Sequence, residues 1–185
     1  MTKKREKIDI LQDGNPILRE VSSPLPIEKI KDPKTRELIS KLKKAIESQS
    51  DAAAISAVQI GELVRMFVIS KKIFDLDEND NKKVVNDLVC INPKILKSSK
   101  GKQSLEEGCL SVRYVYGKVS RPEKVTMEYY DENGKKITRG FSELLAQIVQ
   151  HENDHLNGIL FTDKATNLYK ISPEEYEVML RDAGK

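Results

Sequence analysis

The two histidines of this chain, His151 and His155, stand four residues apart with Glu152 directly after the first, and there are no others. Two histidines placed at random over such a length fall four apart in about 1% of cases, and the adjoining glutamate lowers that to about 0.1%. The spacing asks for a helix. On one helix face, residues four apart hold their Cβ atoms about 5–6 Å apart, so two imidazoles reach one metal ion at about 2.0–2.1 Å each. Glu152 then leans toward the same rim without being a ligand, where a carboxylate can take a proton from water that the metal has acidified toward about pH 7. The flanking sequence suits a buried helix. Ser142 is placed to cap it with Glu143 in the first turn, Leu144, Leu145, Ile148, Val149 and Leu156 supply apolar positions, and Gly158 stands at the expected stop.

Two histidines need a third ligand. Residues 105–112 read LEEGCLSV, and the thiolate of Cys109 is a suitable partner for two imidazoles, leaving a fourth position to water as catalytic sites do. Glu174, Glu175 and Glu177 compete, since some zinc metalloproteases draw a glutamate from about that distance along the chain. Their context favours a different job: Ser172, Pro173 and Glu175 form a capping box with proline at the first helical position. Cys90, inside VVNDLVCINPKIL, reads as a small core hydrophobe, and no disulfide is expected without a secretory signal or a dense cysteine framework.

Three segments together carry a family resemblance. Glu107 to Ser111 reads EGCLS, Gln150 to Leu156 reads QHENDHL, and Asn15 to Pro24 reads NPILREVSSP. In their order and spacing the chain resembles the peptide deformylases from about residue 13 to about residue 163. Those enzymes remove the formyl group from the N-terminal methionine of new polypeptides. A further signature, G-x-G-x-A-A-x-Q, is altered here: residues 52–59 read AAAISAVQ, keeping Gln59 and replacing both glycines by Ala52 and Ala54. An alanine Cβ narrows both close backbone approach and positive φ. Arg113 stands where the family commonly has proline.

The resemblance implies that Cys109, His151 and His155 bind the metal and that Glu152 is the general base and acid. It implies that Gln59 and the backbone N–H of Leu110 polarise the formyl oxygen, two fixed donors aimed at developing charge. It also implies a methionine pocket lined by Leu105, Leu144, Gln147 and Ile148 with backbone near Ala53, the altered Ala52 and Ala54 lying beside it. Gln147 either rims that pocket or is solvated. The family suggests ferrous iron, Fe(2+), in the cell; a Cys-His-His site also accepts Zn(2+), Ni(2+) or Co(2+). The implied partners are N-formylmethionyl nascent peptides, with weak ribosome association conceivable through surface lysines.

The rest of the chain sets bounds. At 185 residues and 38% hydrophobic content it suits one domain with a real core. Lys+Arg 32 against Asp+Glu 29 makes a mixed surface rather than a basic face, so nucleic-acid binding is not indicated. No apolar run reaches about 18 residues, so no membrane span is expected, and the basic start MTKKREK, residues 1–7, lacks the apolar stretch of a secretory signal. A bacterial-type cytoplasmic location follows as the expectation, an organellar one staying open.

Asp32 and Pro33 are expected to open a helix reaching about Gln49, and a second helix spans 173–183. Strands are expected near Leu63 to Ser70 and Val84 to Ile91, separated by an acidic loop from Asp75 to Lys83. Lys124 to Tyr130 and Lys135 to Phe141 form a hairpin about Asp131-Glu132-Asn133-Gly134. The fold class is α+β, mostly antiparallel sheets packed around the helix that carries His151 and His155. Two other functions are carried forward, a non-catalytic relative that binds metal or peptide and an HExxH metallopeptidase using Glu174 or a neighbour.

Overall fold

Between Lys124 and Tyr130 burial alternates, sending Val125, Met127 and Tyr129 inward. This strand returns through a tight turn as Lys136–Ser142, antiparallel, with Val125 opposite Phe141. Asp131 shapes the turn by accepting from the N–H groups of Asn133 and Lys135 at 2.9 and 2.8 Å. The expected hairpin is present.

The computed structural model describes residues 8–76 and 86–183. The basic start and most of the acidic loop expected at Asp75 to Lys83 lie outside the described residues. Along the chain the strands are β1 (Ala54–Ser56), β2 (Met66–Ile69), β3 (Leu88–Ser98), β4 (Lys102–Cys109), β5 (Val112–Pro122), β6 (Lys124–Tyr130), β7 (Lys136–Ser142) and β8 (Thr166–Lys170). The α-helices are α1 (Pro33–Glu47), α2 (Lys71–Leu76), α3 (Glu143–His155) and α4 (Pro173–Ala183). One sheet has the order β1-β2-β3-β6-β7 and the other β4-β5-β8, with antiparallel pairing throughout both. The fold is α+β.

Period-two geometry explains the layering. In β2, Phe67 and Ile69 face a core shared with Leu145, Ala146, Ile148, Val149 and Leu156 of the α3 segment. Met66 and Val68 face the opposite way, onto Ile39, Leu42, Ala45 and Ile46 of α1. The five-stranded sheet is therefore covered on both faces, and α3 carries His151 and His155 on the side away from α1. A smaller cluster of Val112, Val119, Leu160 and Phe161 packs the second sheet.

Several boundaries differ from expectation. The strand expected near Val84 starts at Leu88 and runs on to Ser98, with register shifts after Ile91 and Ile95. Asn92, at φ +51, and Pro93, which has no N–H to donate, interrupt the ladder there. The Asn92 amide instead clasps the backbone of Leu25 in both directions, at 2.8 and 2.7 Å. Helix α1 ends two residues before Gln49, and neither Asp32 nor Ser142 caps with its side chain. The capping box of α4 is formed, Ser172 N–H to Glu175 at 2.7 Å and Glu175 N–H to Ser172 at 3.1 Å.

Gly158 ends the α3 turn with φ +71, and a Cβ there would stand 2.3 Å from the backbone oxygen of Arg19. Neither the strain nor the overlap can be relieved by a rotamer. Gly158→Ala is expected to lower the unfolding free energy by about 2–5 kcal/mol, combining left-handed strain with overpacking. Urea unfolding at matched metal content measures it, and a loss below about 0.5 kcal/mol, the ordinary surface value, would reject the assignment.

Candidate active site

The helical spacing of His151 and His155 puts both rings on the face of α3 turned toward the end of β4, their centroids 4.9 Å apart. Cys109 ends β4, and its Sγ lies 3.2 Å from His155 Nε2. Among the described residues, ligand atoms of Cys109, His151 and His155 all fall within 4.8 Å of one another. Glu174, Glu175 and Glu177 are exposed on α4 and do not join them. Cys90 is fully buried in the main core, and both cysteines are free thiols, as expected.

The donor set fits a cation. His151 Nδ1 bonds the Glu107 carboxylate at 2.8 Å, which turns its Nε2 toward the thiol and fixes the tautomer. His155 is buried and its Nδ1 has no hydrogen-bond partner, so its Nε2, beside the Cys109 thiol, makes the ring's one polar contact among the described residues. Burial, then the neighbouring His151, hold His155 well below the usual imidazole range, in the neutral form that offers a lone pair. Burial also pulls His151 down, but the Cys109 thiol and Glu107 outweigh it and raise its proton affinity well above normal. That surplus of negative charge is what a divalent cation would balance.

Behind the histidines runs an ionic chain, buried from Glu107 to Asp154, that the sequence reading missed. Arg121 of β5 grips Glu107 bidentately at 2.5 and 2.9 Å and reaches Asp154 of α3 at 2.8 Å. Lys164 closes the chain on Asp154 at 2.6 Å. Burial pushes the Glu107 carboxyl up, yet Arg121 and His151 together hold it at about 2. Glu107 was legible, since it lies two residues before Cys109 and alternation turns both toward the same side of β4. Arg121 carried no signal, because nothing local marks its partners.

Glu152 is buried and lines the same cavity as Cys109 and His151. Its Oε2 accepts from the Ser56 hydroxyl at 2.6 Å. Burial raises its pKa, opposed in part by His151 and Ser56, which moves a carboxyl toward the range useful for proton shuttling. Gln59 is also buried; its Oε1 accepts from Ser56 N–H at 2.8 Å, and its Nε2 donates to Ser111 Oγ at 3.1 Å and points at Cys109 Sγ at 3.6 Å. Ser56 thus orients both Glu152 and Gln59. The Leu110 carbonyl accepts from Gln12 at 3.0 Å, which fixes the orientation of that part of the Cys109 loop.

The cavity holds about 300 Å³ and is lined by Ala53, Ala54, Gln59, Leu110, Leu144, Gln147 and Ile148, among others. Gln147 is not solvated, because its Nε2 donates to the Glu106 carbonyl at 3.0 Å. Leu105 and Ala52 stand apart from the cavity, correcting their expected places. Leu105 is four strand residues before Cys109, roughly 13 Å away along β4. The Ala52 methyl is turned into the core that α1 covers. Neither Ala52 nor Ala54 has positive φ, so alanine sits there without backbone strain. Only Ala54 narrows the cavity.

One part of the cavity lining was not anticipated. Asp51, Arg113, Tyr114, Tyr176 and Met179 form it, the last two from α4. The Tyr176 hydroxyl donates to Asp51 and accepts from Arg113 Nη1 at 2.8 Å, while Arg113 Nη2 donates to Gln49 at 2.6 Å.

Comparison with known proteins agrees with this architecture. The family model described as polypeptide deformylase matches residues 7–170. A peptide deformylase of Christiangramia forsetii is 39% identical over 170 residues, covering 88% of this chain and 84% of the relative. Peptide deformylase 2 of Clostridium acetobutylicum is 39% identical over 155 residues, covering 83% of this chain and 92% of the relative. Among solved structures, a Synechococcus elongatus peptide deformylase in complex with actinonin superposes with TM-score 0.73 at 32% identity, covering 98% of this chain and 91% of that one. A class I type b peptide deformylase of Acinetobacter baumannii bound to Met-Ala-Ser gives TM-score 0.76 at 28% identity, over 86% of this chain and 99% of that one. Matched over residues 7–170 by the family model and over more than four fifths of its length by relatives 39% identical to it, the chain belongs to the polypeptide deformylase family.

Proposed function

We propose that this chain hydrolyses the formyl group from the N-terminal formylmethionine of newly made polypeptides, with Cys109, His151 and His155 holding one divalent cation. The observation that carries this reading is the meeting of three ligand atoms within 4.8 Å of one another, two of the residues, Cys109 and His151, lining a cavity that Glu152 and Gln59 also line. Bound there, the cation supplies Lewis acidity and lowers the pKa of the attacking water. Fe(2+) is the ion proposed for the cell, and the same donors accept Zn(2+), Ni(2+) or Co(2+). The proposed setting is the cytoplasm, close to the ribosome; no helix of the described residues is long and apolar enough to cross a membrane.

The chain's own residues do the rest. Glu152 takes the proton of the attacking water and returns it to the departing amine, so that formate and a free N-terminus result. The Ser56 hydroxyl holds the Glu152 carboxylate in one rotamer while this happens. Gln59 presents an amide N–H toward the ligand end of the cavity; the long 3.6 Å approach to Cys109 Sγ leaves that N–H available to a formyl oxygen. The Leu110 N–H is the second donor of the pair. Leu144, Gln147 and Ile148 receive the methionine side chain.

Release of formate from a formyl-Met peptide by protein freshly loaded with ferrous iron tests the reading, and absence of turnover at full metal occupancy would reject it. Gln59→Leu is expected to lower kcat by about 10²–10³ with metal content unchanged, the usual contribution of one such donor. Wild-type kcat in that variant would reduce Gln59 to a structural residue.

A further inference from the structure

Helix α4, Pro173–Ala183, is tied to the cavity by polar contacts from residues outside it. Arg113 and Asp51 hold the hydroxyl of Tyr176, a buried residue of α4. The guanidinium of Arg113 is also 3.3 Å from Asp51, 2.6 Å from Gln49, and 6.0 Å from the centre of the Tyr176 ring. Tyr114 sets its ring edge-on against Tyr176 at 5.3 Å and holds φ +66 to do so. A bulky residue in the left-handed region at a cavity wall persists only where its surroundings fix it.

The anchored helix puts Tyr176 and Met179 into the wall of the cavity that contains Cys109 and Glu152. On the function proposed above, the formyl group lies at the three ligand atoms and the methionine side chain among Leu144, Gln147 and Ile148. Arg113, Tyr114, Tyr176 and Met179 build a part of the remaining wall, beside Asp51, Glu106 and Tyr116, and the peptide meets that part as it leaves. We propose that α4 is a selecting wall: Tyr176, held by Asp51 and Arg113, and Met179 on the same helix restrict the size of the side chain that follows formylmethionine. Small residues pass and large ones collide with a wall locked by two polar anchors. The substrate class preferred is a formylmethionyl peptide with a small second residue.

The test pairs turnover with binding, on the full chain loaded with cation. kcat/KM is measured for formyl-Met-Ala-Ser and formyl-Met-Trp-Ser, and calorimetry gives the affinities of the products Met-Ala-Ser and Met-Trp-Ser. Wild type is expected to favour alanine by at least about tenfold in both measures, the scale at which a pocket senses side-chain bulk. Tyr176→Ala is expected to erase most of that preference by improving the tryptophan peptide, and Met179→Ala, which trims the wall without touching the anchor, to reduce it about threefold. Equal use of both peptides by wild type, or a preference unmoved in both variants, would overturn the selecting wall. The binding ratio reports on the wall even if no formate is released, whereas absent turnover with a normal binding ratio rejects only the reaction.

Discussion

Cys109→Ala is expected to lose most of its bound metal and all measurable deformylation. The thiolate is the one donor of the three that brings a full negative charge, and its removal leaves two neutral imidazoles on a single helix face. Replacing even a partner behind a ligand commonly costs 10–100-fold in affinity, so deleting the ligand itself is expected to exceed about 100-fold. Metal analysis of the dialysed variant, set beside formate release, measures both losses. Cys90→Ala is the control: its sulfur lies in the main core, fully buried, and the change should leave metal content and turnover largely intact. Full occupancy in Cys109→Ala would remove this residue from the ligand set.

Glu152→Gln is expected to retain the cation and lose about 10²–10⁴ in rate, the range general acid–base groups contribute. The amide is isosteric and still offers an oxygen to the Ser56 hydroxyl, now 2.6 Å from Oε2, so the local packing has no reason to change. What disappears is the exchangeable proton site. The carboxyl suits that role because burial, only partly opposed by His151 and Ser56, raises its pKa above the ordinary carboxylate value. Turnover of a metal-loaded Glu152→Gln protein at the wild-type rate would be incompatible with the mechanism.

Much of this site was legible because its chemistry is local in sequence. His151, Glu152 and His155 occupy one helical turn, and Cys109 sits in a short segment whose neighbours mark it. The β6–β7 hairpin was legible for the same reason, its turn residues standing between two alternating runs. Features that depend on distant partners were not. Arg121 looks like any arginine in a strand until β5 brings it against Glu107 and Asp154. The capping box correctly announced α4, yet nothing in it revealed that Tyr176 would reach Asp51, 125 residues earlier in the chain. Leu105 was misplaced because alternation gives the face a strand residue shares and not how far along the strand the cavity extends. Ala52 was misplaced because the resemblance marks a loop, while only the fold decides which methyl of that loop turns inward.

The ionic chain from Glu107 through Arg121 to Asp154 and Lys164 links strand, neighbouring strand and helix with protein charges alone. It aligns His151 and braces α3 against the sheet that ends in Cys109, so the cradle has its shape before any ion enters. Proteins whose fold is assembled by the metal behave otherwise, since for them binding and folding are one event. Replacing one cation by another is therefore expected to leave the chain folded. The ion found in a given preparation then records the medium it came through, and the catalytic power of that preparation becomes a matter of its history as much as of its sequence.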